Sequence, residues 1–125
     1  MFIRKKEDVE SILWGNGTSH RLLTHADNMG FTVCDTVVFA GTESRLQYRR
    51  HLEACYCISG RGQVVSADGE VTFEIEPGTI YVLDKHDAHL LRAHHDENLH
   101  LISVFNPPLT GSEKHQLDAS GFSQY

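Results

Sequence analysis

From about Phe31 onward the chain reads as short runs of apolar and β-branched residues separated by turn signals. Phe31 to Phe39 is rich in Val, Thr and Phe, and Gly41-Thr42-Glu43 interrupts it. Leu46 to Ile58 is a long run that should bend or break near His51. Val64-Val65 and Val71 to Ile75 flank Asp68-Gly69, a hairpin signal because glycine tolerates positive φ. Val71, Phe73 and Ile75 alternate with Thr72 and Glu74, as a half-buried strand requires. Glu76-Pro77-Gly78 marks a further turn, and Thr79 to Leu83, His89 to Ala93 and Leu99 to Phe105 are predicted strands. One segment reads as a helix: Glu7 to Trp14, with Val9, Ile12 and Leu13 at helical spacing and Gly15-Asn16-Gly17 as its stop. Roughly eight short strands without intervening helices predict an all-β sandwich or barrel. Past Phe105, the prolines of Asn106-Pro107-Pro108 cannot continue a central strand, because proline lacks the N–H. Residues 106–125 are therefore expected to be a tail that either frays or folds over something.

Composition narrows the class. At 125 residues the chain is one domain's worth, so residues 1–125 are read as a single domain. It is 40% hydrophobic and 22% charged, and no apolar run approaches the roughly 18 residues of a membrane span. The start is charged within its first residues and has no apolar signal-peptide centre, which predicts a cytoplasmic protein. A net charge of −6 argues against a nucleic-acid surface. Cys34, Cys55 and Cys57 form neither a disulfide framework nor a paired zinc motif, and are expected to be reduced, buried thiols. Nine histidines are the one compositional oddity. His94-His95, beside Asp96, Glu97 and Asn98, reads as a solvated turn.

Chemistry concentrates between Gly41 and Gly60. Gln47, Arg49, His51, Glu53, Cys55 and Cys57 share one parity, so several can point into a barrel interior. Burying Arg49 and Glu53 there unpaired would be costly. Either they pair with each other or face solvent, or a metal or ligand neutralises them. The spacing of Gly41, Gln47, Arg49, Glu53 and Gly60 resembles the first cupin motif, G-x5-H-x-H-x3-E-x6-G, with both histidine positions replaced. Pro77, Gly78 and Tyr81 resemble the second, with tyrosine in place of histidine.

A more specific resemblance runs from about Arg21 to His115. Ala40-Gly41-Thr42-Glu43, His51 to Ile58, Pro77 to Tyr81, Leu83 to His89, Leu91-Arg92-Ala93 and Val104 to Gly111 are similar to ectoine synthase. The resemblance implies a single-domain cupin, a jelly-roll barrel that is cytoplasmic and homodimeric. It implies closure of N-γ-acetyl-2,4-diaminobutyrate into the cyclic amidine ectoine with loss of water. It also implies a metal held by Glu53, Tyr81 and His89, Fe(II) first and Zn(II) as the alternative. Tyr48, His51 and His115 become candidate acid–base groups, His115 because an unperturbed imidazole titrates near neutrality. Thr36, Phe105, Glu113 and Trp14 are expected on the substrate side, and residues 106–115 as a lid that excludes water.

The sequence also departs from that family. Gln47, Arg49 and Arg50 replace His, Gln and Asn, and Ser103 stands where a cysteine lines the site. The turn at His94 to Asn98 is longer. Gly17 occupies the place of an active-site tryptophan, so Trp14 would serve only if its loop shifts. These departures keep two other readings open: a different metal-dependent cupin enzyme, or a non-catalytic cupin that binds a small solute.

Overall fold

A computed structural model describes residues 1–113, 115–117 and 121–124; the other tail positions lie outside the described residues. Two six-stranded sheets face each other. The first has the spatial order β1 (Ser11–Leu13), β2 (Gly17–Leu23), β3 (Thr32–Val38), β10 (Leu99–Asn106), β5 (Leu52–Ser59) and β8 (Ile80–Leu83). The second runs β11 (Gln116–Leu117), β12 (Ser123–Gln124), β4 (Glu43–Leu46), β9 (His89–Ala93), β6 (Gly62–Ser66) and β7 (Thr72–Ile75). All pairs are antiparallel except β12 on β4. The barrel expectation holds. Val38, Leu46, Cys57, Ile75, Leu91, Leu99 and Leu101 fill the space between the sheets.

The turns are where glycine placed them. β6 and β7 join through Asp68-Gly69, where Gly69 has φ +77° and its N–H donates to the Ser66 carbonyl. Gly78 has φ +93° after Pro77, and the N–H of Thr79 donates to the Glu76 carbonyl. The long run breaks between Leu46 and Leu52, close to the predicted His51.

The predicted N-terminal helix does not form. Only a 3-10 turn, Lys6–Asp8, is present, and Ser11–Leu13 is a strand paired with β2. Gly15-Asn16-Gly17 is the hairpin connection between them: Gly15 has φ +122°, and the Trp14 N–H donates to the Gly17 carbonyl. Val9, Ile12 and Leu13 are too few to tell a helical stripe from a short edge strand.

The described part of the tail packs on the barrel. Leu109 is 0% exposed, and its N–H donates to Thr32 Oγ1 at 2.8 Å. Arg21 Nη1 donates to the Gly111 carbonyl at 2.9 Å. The Gln47 N–H donates to the Ser123 carbonyl, tying the tail to the segment after β4. No helix among the described residues is long and apolar enough to cross a membrane.

Candidate active site

Strand parity decides which side chains enter the barrel. On β5, Glu53, Cys55 and Cys57 point in, whereas Leu52, Tyr56 and Ile58 stay in solvent. The register sets Cys55 opposite Tyr81 on β8 and opposite Ser103 on β10. His89 enters from β9 in the facing sheet and is 2% exposed. Glu53, Tyr81 and His89 thus come from three strands, all buried.

Trp14, Thr36, Tyr48, Glu53, Tyr81, Phe105 and His115 line one small cavity of about 20 Å³. Tyr48 stacks edge-on against Phe105 at 5.2 Å, lies 6.3 Å from the His89 ring, and its hydroxyl is 3.1 Å from His115 Nε2. Trp14 meets His115 edge-on at 5.4 Å. The sequence placed Trp14 in the site only on condition of a shifted loop, and the structure seats it there. Gly17 makes this feasible, since a Cβ at that position would lie 2.7 Å from Trp14 Cζ2. The second opening, a groove of about 500 Å³ between the free edges of β7 and β8, reaches Tyr81 and His89 from outside.

Two predicted residues, His51 and Glu113, are not among those that line the cavity. The His51 Nδ1–H donates to the Pro107 carbonyl at 2.7 Å. Glu113 folds onto its own turn, accepting from the Thr110 and Gly111 N–H groups at 2.8 and 2.9 Å, with Arg21 3.8 Å away. It braces the tail and does not line the cavity. Arg49 and Arg50 are exposed, and Arg49 Nε donates to Gln47 Oε1 at 3.3 Å, so the Arg49–Glu53 pairing is not formed. His94 and His95 stack at 4.2 Å in solvent, as a surface turn should. Sequence reasoning missed Ser19, which lines the cavity, and the buried Arg21 beneath the tail. Both belong to β2, whose inward positions are polar.

The electrostatics single out one corner. Burial pushes the Glu53 carboxyl up to about 8, against a weaker hydrogen bond from Cys55. The Tyr81 phenol is raised well above its ordinary value, by burial first and then by Cys55 and Glu53. His89 is lowered by burial, opposed by its hydrogen bond to the Asp87 carbonyl. That bond uses Nδ1–H at 2.9 Å, and Nε2 is buried with no hydrogen-bond partner among the described residues. A buried carboxyl, a buried phenol and an orphaned imidazole nitrogen are a donor set that fits a divalent cation. Once the two acids lose their protons, one carboxylate, one phenolate and a neutral imidazole cancel its charge. Burial also drives His115 down to about 4, despite an opposing backbone hydrogen bond with Ser123. Its expected near-neutral titration is therefore lost: His115 is a neutral acceptor at physiological pH.

A two-sheet barrel with a polar inner wall defines the cupin class. A cupin 2 conserved barrel domain protein from Salinispora arenicola superposes with a TM-score of 0.70 at 23% identity, covering 84% of this chain and 87% of that one. Within that class, the sequence profile of ectoine synthase matches residues 1–124. The L-ectoine synthase of Desulfatibacillum aliphaticivorans is 51% identical over 106 residues, 85% of this chain and 80% of that protein. That of Halalkalibacterium halodurans is 45% identical over 119 residues, covering 92% and 91%. The crystal structure of ectoine synthase from P. lautus superposes with a TM-score of 0.83 at 42% identity, covering 90% of this chain and 83% of that one. The chain belongs to the ectoine synthase family, whose members are hydro-lyases.

Proposed function

We propose that this protein closes N-γ-acetyl-2,4-diaminobutyrate into ectoine, a compatible solute made under osmotic stress, with loss of water in the cytoplasm. The observation that carries the reading is the orphaned Nε2 of buried His89, which shares the outer groove with Tyr81, while Tyr81 and Glu53 share the inner cavity. These three residues would hold Fe(II), with Zn(II) as the alternative. Such an ion supplies Lewis-acid polarisation of the substrate's amide carbonyl.

The chain's own residues do the rest. Trp14, Tyr48 and Phe105 form an aromatic wall that folds a flexible substrate so that its α-amine meets the carbonyl carbon, an entropic advantage worth several powers of ten. Neutral His115 accepts from the Tyr48 hydroxyl, so the pair can take a proton from the attacking amine at the phenol oxygen. His51, held by the Pro107 carbonyl and edge-on to Phe105, is the second candidate proton carrier. The tail excludes water, which favours a dehydration. A cavity of about 20 Å³ holds about one water, so the tail or the aromatic wall must open for substrate.

A homodimer completes the reading. Leu52, Tyr56 and Ile58 on β5, Ile80 and Val82 on β8, and Val104 on β10 make a continuous exposed apolar face. Ile80→Glu, at a position 59% exposed, should turn the dimer into a monomer in sedimentation. The decisive experiment for the reaction is product detection by NMR. Purified protein with ferrous iron and N-γ-acetyl-2,4-diaminobutyrate should yield ectoine, and a chelator should stop it. A metal-loaded, folded protein that yields none would refute the proposal.

A further inference from the structure

A groove of about 390 Å³ runs beside β4, between the β1–β2 hairpin and the described end of the tail. That volume falls in the range of about 300–1,000 Å³ usual for small-molecule sites. Trp14, Leu46 and His115 line both this groove and the inner cavity. The partition between the two is therefore made of side chains, and two of them, Trp14 and His115, meet edge-on at 5.4 Å. Turning those rings joins groove to cavity without taking a strand out of either sheet. The groove between β7 and β8 has no such partition. It shares Tyr81 alone with the cavity, and Tyr81 stands within β8, opposite Cys55, as one of the proposed metal donors.

Charge separates the two mouths as well. Glu74, Asp84 and Asp87 line the β7–β8 groove, and no lysine or arginine does so among the described residues. Beside β4 the lining carries Glu43 and Arg45. Glu43 is already taken, since Arg92 Nε donates to its Oε2 at 2.6 Å. Arg45 has no ion pair among the described residues, and its guanidinium lies 4.7 Å over the Phe122 ring. Stacked in that way, a guanidinium keeps its edge of N–H groups free for a carboxylate. Asn16 Nδ2 donates to the Glu43 carbonyl at 3.0 Å and to Ser44 Oγ at 2.9 Å. These bonds fix the hairpin that carries Trp14 to the strand that carries Arg45, so the rings are the part free to turn. A carboxylate is repelled at one mouth and held at the other.

We propose that the substrate comes in through the groove beside β4: Arg45 binds its α-carboxylate at the mouth, and the Trp14–His115 contact parts to pass it to the cavity. Resting on the reading of the chain as an ectoine-forming enzyme, this makes Arg45 the residue that selects for a carboxylate before the chemical step. Such a residue governs KM and not kcat.

The test compares the full-length, iron-loaded wild type with Arg45→Gln, which removes the charge, and Arg45→Lys, which keeps it. With N-γ-acetyl-2,4-diaminobutyrate, Arg45→Gln should raise KM about tenfold at low salt with kcat unchanged, and the gap should narrow as salt rises. Arg45→Lys should recover most of the loss. N-acetyl-1,3-diaminopropane, the same molecule without its carboxylate, should inhibit wild type and Arg45→Gln equally. Glu74→Lys, which puts a cation at the other mouth, should leave KM unchanged. Trp14 is the chain's one tryptophan, so its emission reports on the gate. That emission should change on mixing with substrate, and should need about tenfold more of it in Arg45→Gln. An unchanged KM in Arg45→Gln, a KM lowered by Glu74→Lys, a carboxylate-free inhibitor that senses Arg45, or emission that stays constant during turnover would overturn the inference and leave the reaction standing. An iron-loaded wild type that forms no ectoine would overturn both.

Discussion

Stripping the metal should leave a protein that weakens as pH rises, and Glu53→Gln should cure it. Folding holds the Glu53 carboxyl at about 8 against an ordinary 4.5. Between those values the unfolded chain has lost a proton that the folded chain keeps. The native state binds more protons there, so unfolding free energy falls with pH. At 1.36 kcal/mol per unit the full effect is about 5 kcal/mol, of which about 3–4 kcal/mol falls between pH 5 and 8. For a chain of this size that lowers the melting temperature by about 10–15 °C. His115 acts in the opposite sense: its folded value of about 4 lies below an ordinary 6.5, so stability is lost as pH falls through that window. Stripped wild type should therefore be most stable near about pH 5.5, where the two limbs cross. Glu53→Gln keeps the acid limb and abolishes the alkaline one. Near-ultraviolet circular dichroism melts of both stripped proteins from pH 5 to 9 make the comparison. A difference between them that stays flat across pH 5 to 8 would refute the reasoning, because it would mean that Glu53 is not buried as described.

Three other outcomes follow from the same geometry. His89→Ala should lose nearly all bound metal by elemental analysis, whereas His94→Ala, in the exposed turn, should keep one equivalent per chain. Leu109→Ala removes a fully buried side chain and should cost about 2–5 kcal/mol in urea unfolding, a large effect for a residue beyond the last long strand. Truncation after Gly111 keeps the Leu109 and Arg21 contacts but removes His115. It should leave the barrel folded by circular dichroism and lower kcat/KM at least about a hundredfold, which is about 2.7 kcal/mol of transition-state stabilisation.

The parts of the fold that alternate apolar-in and polar-out were legible in the sequence, and the exceptions have one cause. β2 was missed because its inward positions are Gly17, Ser19 and Arg21, so its pattern runs backwards. The same inversion on β5 puts Glu53 inside and Tyr56 outside, and only the parity argument exposed it. Site residues spaced along one strand could be read, as Glu53 and Cys55 were. Contacts made by chain reversal could not: nothing in the spacing shows that Trp14 meets His115, or that Glu113 spends its carboxylate on its own turn. Trp14 carried a readable hint nonetheless, since Gly17 vacates the space its indole occupies. The near-neutral titration expected of His115 is lost to burial, because a sequence does not reveal how dry a site is.

The sheet order also governs when this protein can come into being. β10 lies between β3 and β5, so the first sheet stays split in two until residues 99–106 have been made. A growing chain has its early strands waiting, edges bare, for a partner about 65 residues downstream, as the Asp35–His100 contact spans. The first sheet therefore cannot close until β10 is available, and the aromatic wall, which joins Trp14 to His115, needs residues from both sides of that strand. Ribosomes that stall early release chains with neither barrel nor site, substrates for chaperones and proteases and not for turnover.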